Sequence, residues 1–267
     1  MCYDVETQLR RKLKDAAHEG APSEEIDFLK KKLAQWLEKN GESELAANEH
    51  YWTMGFQHQK IPVITNNKPN EIQFFHWGLI PHWCKDKAFA RTIAGQCLNA
   101  RSESIFEKPS FRSAAKDQRC VIPLSGYYEH FWFDKSGKTK IPYFIKRKDN
   151  RPLYMAGLWE AWINKETGEE IKTCTIISTN ANAKLSLVHN RNPADPRMLV
   201  ILDFEQISKW LSPLKDEVDQ AFLESMCIPY PDEALEIYPV HQLRGKNGVG
   251  DAPQASQPFV YHLIGLP

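Results

Sequence analysis

The chain has no long apolar run. Nothing in its 267 residues approaches the roughly 20 consecutive apolar residues that span a bilayer. The opening MCYDVETQLRRKLKD also lacks the apolar segment of a secretory signal. The six cysteines, Cys2, Cys84, Cys97, Cys120, Cys174 and Cys227, are widely spaced and include no C-x-x-C pair. A zinc ribbon or a redox dithiol is therefore not encoded. His76, His82 and Cys84 lie close together, but no second cluster joins them, and the sequence predicts no metal and no cofactor. Also missing are a glycine-rich phosphate loop, a G-x-S-x-G elbow and an H-E-x-x-H pair. Their absence removes the commonest nucleotide-dependent, α/β-hydrolase and zinc-protease readings. Free thiols in a reducing cytoplasm are the expectation.

Net charge is missing as well, with 34 Lys and Arg against 34 Asp and Glu. The balance hides an asymmetry. Residues 85–151 carry 15 basic against 7 acidic side chains, whereas 203–236 carry 2 against 9. Such a split suits a protein with one side facing a polyanion. Two solvated surfaces of no consequence would give the same count.

What is present falls into two textures. Residues 4–20 and 23–39 read as two helices. Val5, Leu9 and Leu13 recur every fourth residue before Gly20, and Ile26, Leu29, Leu33, Trp36 and Leu37 share a face before Asn40-Gly41. Ser23 reads as the N-cap of the second, with Glu24 and Glu25 in its first turn. Beyond residue 50, short aromatic and β-branched runs (IPVI, IQFFHWGLI, RCVIPL, YYEHFWF, PYFI, PLYMAGLW, CTIIST) are separated by Pro, Gly, Asn and charged turns, which is strand texture. FDKSGKTK reads as a hairpin loop. DFEQISKWL and DEVDQAFLESM return to helix, with Asp203 as an N-cap. The prediction is an α+β fold: a curled, mostly antiparallel, barrel-like sheet with flanking helices. It forms one domain over 1–267, with a helical hairpin inserted at 4–45.

Four stretches place polar or ionisable groups in or beside apolar runs: LNARSES (98–104), GYYEH (126–130), STNAN (178–182) and LVHNRNPADPRMLVIL (187–202). Burying such groups costs free energy unless they are paired, so each is a candidate site and equally a candidate satisfied core contact. Cys2 adds a second kind of signal. Removal of Met1 would give it a free α-amine beside its thiol. A nucleophilic amine needs an acid/base partner, and Glu129 and His189 are of the right types. Asn99 suits orienting the amine or the attacked carbonyl. Arg101, two residues along the same strand face, suits a phosphate.

In order along the chain, MC, HWGLIPHW, LNARSES, FR followed by RCVIPLSGYYEH, AGLWEAW, STNAN and HNR…RMLVIL resemble the SOS-response-associated peptidase (SRAP) family, also called abasic-site processing proteins. The resemblance covers residues 1 to about 250 apart from the helical hairpin. It implies that the mature N-terminal Cys2 joins the ring-opened sugar of an abasic site in single-stranded DNA through a Schiff base that the thiol closes to a thiazolidine. By motif, Asn99 orients Cys2 and the sugar, Glu129 holds or deprotonates the amine, and His189 serves as acid/base. Arg101 and Arg191 or Arg197 grip phosphates, and Trp77 and Trp83 stack on bases, cover the site or pack in the core. The peptidase label implies removal of residue 1 or self-release of the adduct. A cytoplasmic monomer, nucleoid-associated when bound to DNA, is expected.

The sequence departs from the family at three places. Tyr3-Asp4 stands where Gly-Arg is usual, which loses a cation beside the DNA and adds an anion. His130 follows Glu129 where an aromatic is usual, and the loop near residue 55 reads TMGFQ, which puts a preference for strand junctions in question. Extra residues in HNRNPADPRM leave Arg191 and Arg197 as rival phosphate ligands, with the spacing from His189 favouring Arg191. Two other functions remain open on the residues alone. One is an N-terminal-nucleophile peptidase or amidohydrolase acting through Cys2. The other is a non-catalytic module that binds single-stranded DNA.

Overall fold

The computed structural model describes residues 2–134 and 136–262. The chain starts with strand β1 (Asp4–Glu6), then helices α1 (Leu9–His18), α2 (Ser23–Asn40) and α3 (Glu42–Ala46), and strands β2 (Thr53–Met54), β3 (Lys60–Thr65) and β4 (Lys68–Trp77). Its middle runs α4 (Lys87–Gln96), β5 (Asn99–Arg101), α5 (Arg112–Asp117), β6 (Arg119–Leu124), β7 (Gly126–Trp132), β8 (Lys140–Arg147), β9 (Leu153–Ile163) and β10 (Glu170–Asn180). It continues through α6 (Ala183–Val188), β11 (Arg197–Leu199), β12 (Ile201–Leu202), α7 (Ile207–Trp210), α8 (Glu217–Ser225) and β13 (Leu235–Pro239).

β10 bonds to both β4 and β9, so β10-β4-β3-β6-β9 closes on itself as a five-stranded barrel. β5 and β11 extend it at β10, and β12 at β9. A second, wholly antiparallel sheet runs β13-β8-β7-β1-β2. Only Ser125 separates β6 from β7, so the chain passes from barrel to second sheet at one buried residue. Parallel pairing occurs where β10 meets β4 and β5, and the remaining ladders are antiparallel, as the strand texture predicts.

The core follows the period-two alternation of the strands. On β9, Leu153 and Met155 join a cluster with Val5, Ile122, Tyr127 and Ile145, which ties the barrel to the second sheet. Tyr154, Ala156 and Leu158 face the other way, into a cluster with Leu9, Leu13, Leu29 and Leu33 of the helices. The helical pair therefore packs on the main body, with Trp36 against Phe74 at 4.8 Å. Both faces of β9 are covered, which is why its sequence reads as one apolar run.

Two expectations need correction. Residues 4–6 are a strand, not the start of a helix: Val5 pairs with Tyr127 on one side and Thr53 on the other, and helix begins only at Leu9. A three-residue strand is too short to show a period, and Val5-Leu9-Leu13 mimicked a helical one. Ser23 is the first residue of α2, with Pro22 at the cap position and no side-chain cap bond. Asp203, by contrast, forms a capping box with Gln206. FDKSGKTK joins β7 to β8, where Asp134 accepts from the Thr139 amide at 2.6 Å.

Candidate active site

β1 lies between β2 and β7, and this pairing seats Cys2. Asp4 stands opposite Tyr128, one residue before Glu129. The Cys2 thiol donates to the carbonyls of Asp4 (3.3 Å) and Tyr128 (3.4 Å) and is 3% exposed. Asn99 opens β5, which is held in place by its parallel pairing with β10. Its Nδ2 donates to the Cys2 carbonyl at 2.6 Å, while its buried Oδ1 has no partner. The first predicted contact, Asn99 to Cys2, is therefore direct.

Burial sets the protonation of the site. It pushes the Cys2 thiol well up, and the nearby Glu129 carboxylate adds to the effect. It also raises Glu129, whose Oε1 accepts from the His130 amide at 3.0 Å. His189 follows α6, and burial pulls it down to about 4, so the ring is neutral at pH 7. Its Nδ1 accepts from the Arg197 amide at 3.3 Å, which puts the hydrogen of the neutral ring on Nε2.

Glu129 and His189 line a cleft of about 240 Å³ together with Tyr3, Arg101, Arg191 and Arg197. Cys2 does not reach its surface. Of the two rival arginines, Arg197 is 3% exposed and spends its fork on Glu103 (2.7 and 2.9 Å), Asn180 and the Ser178 carbonyl. Arg191 is exposed, with its guanidinium 5.0 Å from the Trp132 ring centre. Arg101 bonds Asp195 on the cleft wall.

The tryptophans fall elsewhere. Trp77 is 1% exposed and donates to the Leu98 carbonyl at 2.7 Å, so it packs in the core and offers no face to a base. Trp83 is 39% exposed and bonds the Pro109 carbonyl, but lines a different hollow, with His82 and Arg112. His76, His82 and Cys84 also disperse: His76 bonds the His58 carbonyl, His82 contacts Glu160, and Cys84 is buried. Among the described residues no group of three or more His, Cys, Asp or Glu is placed to hold a metal, and no helix is long and apolar enough to cross a membrane.

The departures at positions 3 and 4 take an unforeseen form. Tyr3 packs against the half-exposed Phe56 ring at 5.0 Å. Asp4 is not an anion facing the cleft solvent: it is 1% exposed and accepts from Trp52 Nε1 (2.9 Å) and Arg244 Nη2 (3.0 Å). Burial outweighs both partners and raises it to about 6. His130 Nδ1 lies 3.7 Å from the same carboxylate, yet burial, with Arg244 and Lys140, lowers the ring to about 3, so this contact is no ion pair. Besides Asp4, His130 and Asn192, the cleft lining also takes in Trp132, Lys140 and Arg244. None of these last three was picked out from sequence: Trp132 sits in an ordinary strand run, and the other two lie in polar segments without a motif.

Comparison with known proteins matches residues 23–246 to the SOS response associated peptidase (SRAP) family. The chain is similar to the abasic site processing protein YoqW of Bacillus subtilis (strain 168), 38% identical over 183 residues covering 68% of this chain and 75% of that one. It is also similar to the abasic site processing protein HMCES of Gallus gallus, 32% identical over 61% of this chain and 51% of that one. A crystal structure of a protein from Bacteroides thetaiotaomicron superposes with a TM-score of 0.74 at 30% identity, covering 97% of this chain and all of that one. With the family match spanning most of its length, the chain belongs to the SRAP family.

Proposed function

We propose that this protein processes abasic sites in single-stranded DNA, acting as a monomeric, cofactor-free, single-turnover cross-linker through a mature N-terminal Cys2. The observation that carries the reading is the buried Asn99 bond that fixes the Cys2 backbone behind a cleft holding Glu129, His189 and exposed arginines. The names of the relatives support the substrate. Met1 lies outside the described residues, and its removal, by a methionine aminopeptidase or by the protein itself, is part of the proposal.

An α-amine titrates near 7.7–8.0, so roughly 10–20% is the free nucleophile at neutral pH, against about one part in a thousand for a lysine. As the hemiacetal opens, the Glu129 carboxylate takes the anomeric hydroxyl proton and passes it to the ring oxygen as the C–O bond breaks to leave the aldehyde, while the neutral His189 ring steadies that oxygen with a hydrogen bond from its Nε2 hydrogen. Glu129, made more basic by burial, takes the ammonium proton of Cys2. The amine adds to the aldehyde carbon, the same carboxyl returns a proton to the departing hydroxyl and then takes up the remaining N–H proton, releasing one water and leaving a neutral imine. The thiol, held protonated by burial, then leaves its two carbonyl partners, and sulfur adds to the imine carbon while its hydrogen passes to nitrogen. The product is a thiazolidine. Closing a five-membered ring from a neighbouring atom avoids the entropy of a second encounter. Arg191 and Arg101 hold the flanking phosphates, and the reaction belongs on nucleoid DNA in the cytoplasm.

The test is a denaturing gel after incubation with a single-stranded oligonucleotide carrying one abasic site, without borohydride. Wild type shown by mass to begin at Cys2 should give a shifted band, and C2A none. A Cys2-initiated chain that gives no band, or an equal band from C2A, refutes the reading.

A further inference from the structure

Two buried arginines in this fold turn their guanidinium forks on protein oxygens. Arg119 is 0% exposed and bonds the carbonyls of Ala115, Lys116, Trp210 and Ser212. Arg197, 3% exposed, spends its fork on carboxylate, amide and carbonyl oxygens. Arg244 differs. Its side chain is 49% exposed on the cleft lining. One donor nitrogen, Nη2, bonds Asp4 at 3.0 Å, while Nη1 rests 2.8 Å from the Met54 sulfur, a weak acceptor. A guanidinium carries five N–H groups, so most of its capacity for a strong oxygen acceptor is unspent.

Asp4 lines the same cleft but is only 1% exposed and is also fixed by Trp52, so it aims Arg244 while leaving almost none of its own surface to solvent. A buried carboxylate orienting an exposed arginine is a preorganised anion ligand, because little side-chain freedom remains to be lost on binding. Lys140, the next cation on the lining, has no acidic partner among the described residues and sits 4.3 Å from the Trp132 ring centre. On this side of the cleft two cations, Arg244 and Lys140, therefore stand against the one carboxylate of Asp4, where position 4 alone suggests an anionic wall.

We propose that Arg244, oriented by the buried Asp4, is a phosphodiester ligand of the cleft, a cation delivered from the C-terminal part of the chain to the N-terminal strand. The inference rests on single-stranded DNA being the ligand. In a structural role alone, Arg244 would do no more than neutralise Asp4.

The two roles separate in a variant that removes both charges together. D4N/R244Q keeps the side-chain shapes and leaves no buried carboxylate unpaired, and D4N alone keeps the cation. Binding is read by fluorescence anisotropy over a range of NaCl, using an undamaged single-stranded oligonucleotide, which cannot cross-link. The slope of log affinity against log salt should shrink by about 0.7 in D4N/R244Q, the share of one phosphate on single strands, with affinity several-fold weaker. D4N should keep the wild-type slope. D4N/R244M supplies the same comparison if the glutamine pair melts early. A folded double variant with wild-type slope and affinity overturns the inference. Cross-linking of an abasic strand by wild type is scored separately. If it occurs while the slopes stay equal, only Arg244 falls. If it fails while the slopes differ, the cross-linking chemistry falls and Arg244 stands as a DNA contact.

Discussion

Asn99 offers the sharpest single perturbation. Its Nδ2 reaches the Cys2 carbonyl at 2.6 Å across 97 residues of sequence, and both partners are buried. N99A deletes the donor and leaves that carbonyl with no replacement from solvent, at a cost of about 1–3 kcal/mol. At about 2–4 °C per kcal/mol for a chain somewhat under this size, the melting temperature should fall by several degrees. The chemical loss should be larger, because the bond fixes the residue that attacks. Slack of about 1 Å at a reacting centre costs roughly 100-fold in rate. N99D sharpens the test. Ionised, its carboxylate repels the Cys2 carbonyl; protonated, its hydroxyl donates as the amide did. N99D should therefore cross-link slowly at pH 8 and recover part of the wild-type rate as pH falls. The assay is the initial rate of denaturation-resistant adduct on single-stranded abasic DNA, with melting curves in parallel. A folded N99A that cross-links at the wild-type rate would refute the reasoning.

C2S keeps the amine but loses the thiol, so its imine should be trapped by borohydride, while without reductant the adduct should fall apart on heating where the wild-type adduct survives. His189 sits at about 4 in the fold against an ordinary 6.5, so the unfolded chain binds more protons between those values and stability is lost on acidification through that window. Asp4, raised from 3.8 to about 6, works in the opposite sense, its contribution falling as pH rises from 3.8 to 6. H189Q should accordingly flatten the acid-side fall of melting temperature, and an unchanged profile would contradict the burial of a neutral ring. At Gly126 a Cβ would lie 2.1 Å from the Phe144 ring and 2.9 Å from the Ile145 carbonyl, opposite Glu6 on β1. G126A should cost about 1–3 kcal/mol by overpacking and loosen the strand that seats Cys2, with both the melt and the adduct yield reporting the change.

Much of the fold was legible because its signals are local. Glu24 and Glu25 in the first turn and Gly41 at the end delimit α2, Asp203 and Gln206 form their box, and FDKSGKTK makes its hairpin turn. Barrel closure was not legible, because it depends on β10 meeting β4 and β9 at long range, and β1 was lost to a chance helical period. At the candidate site, Asn99, Glu129 and His189 carried their own signal, since polar groups in apolar runs demand partners, and Cys2 carried one by its place after Met1. Arg244 did not. Its proposed role depends on a contact with Asp4 across 240 residues, and at the level of sequence Asp4 looked like an added anion at the DNA surface. Trp77 misled in the other direction: a conspicuous aromatic in a recognisable motif proves to be core, while Trp132, between two cations, faces the cleft.

The central claim is that Cys2 uses both of its nucleophiles on one carbon. Intact mass spectrometry of the adduct, followed by peptide mapping and thiol alkylation, tests it most directly. The account predicts the summed masses of protein without Met1 and oligonucleotide less one water, with the DNA on the N-terminal peptide and Cys2 resistant to alkylation. An adduct on another residue, or one on Cys2 whose thiol still alkylates, would contradict it.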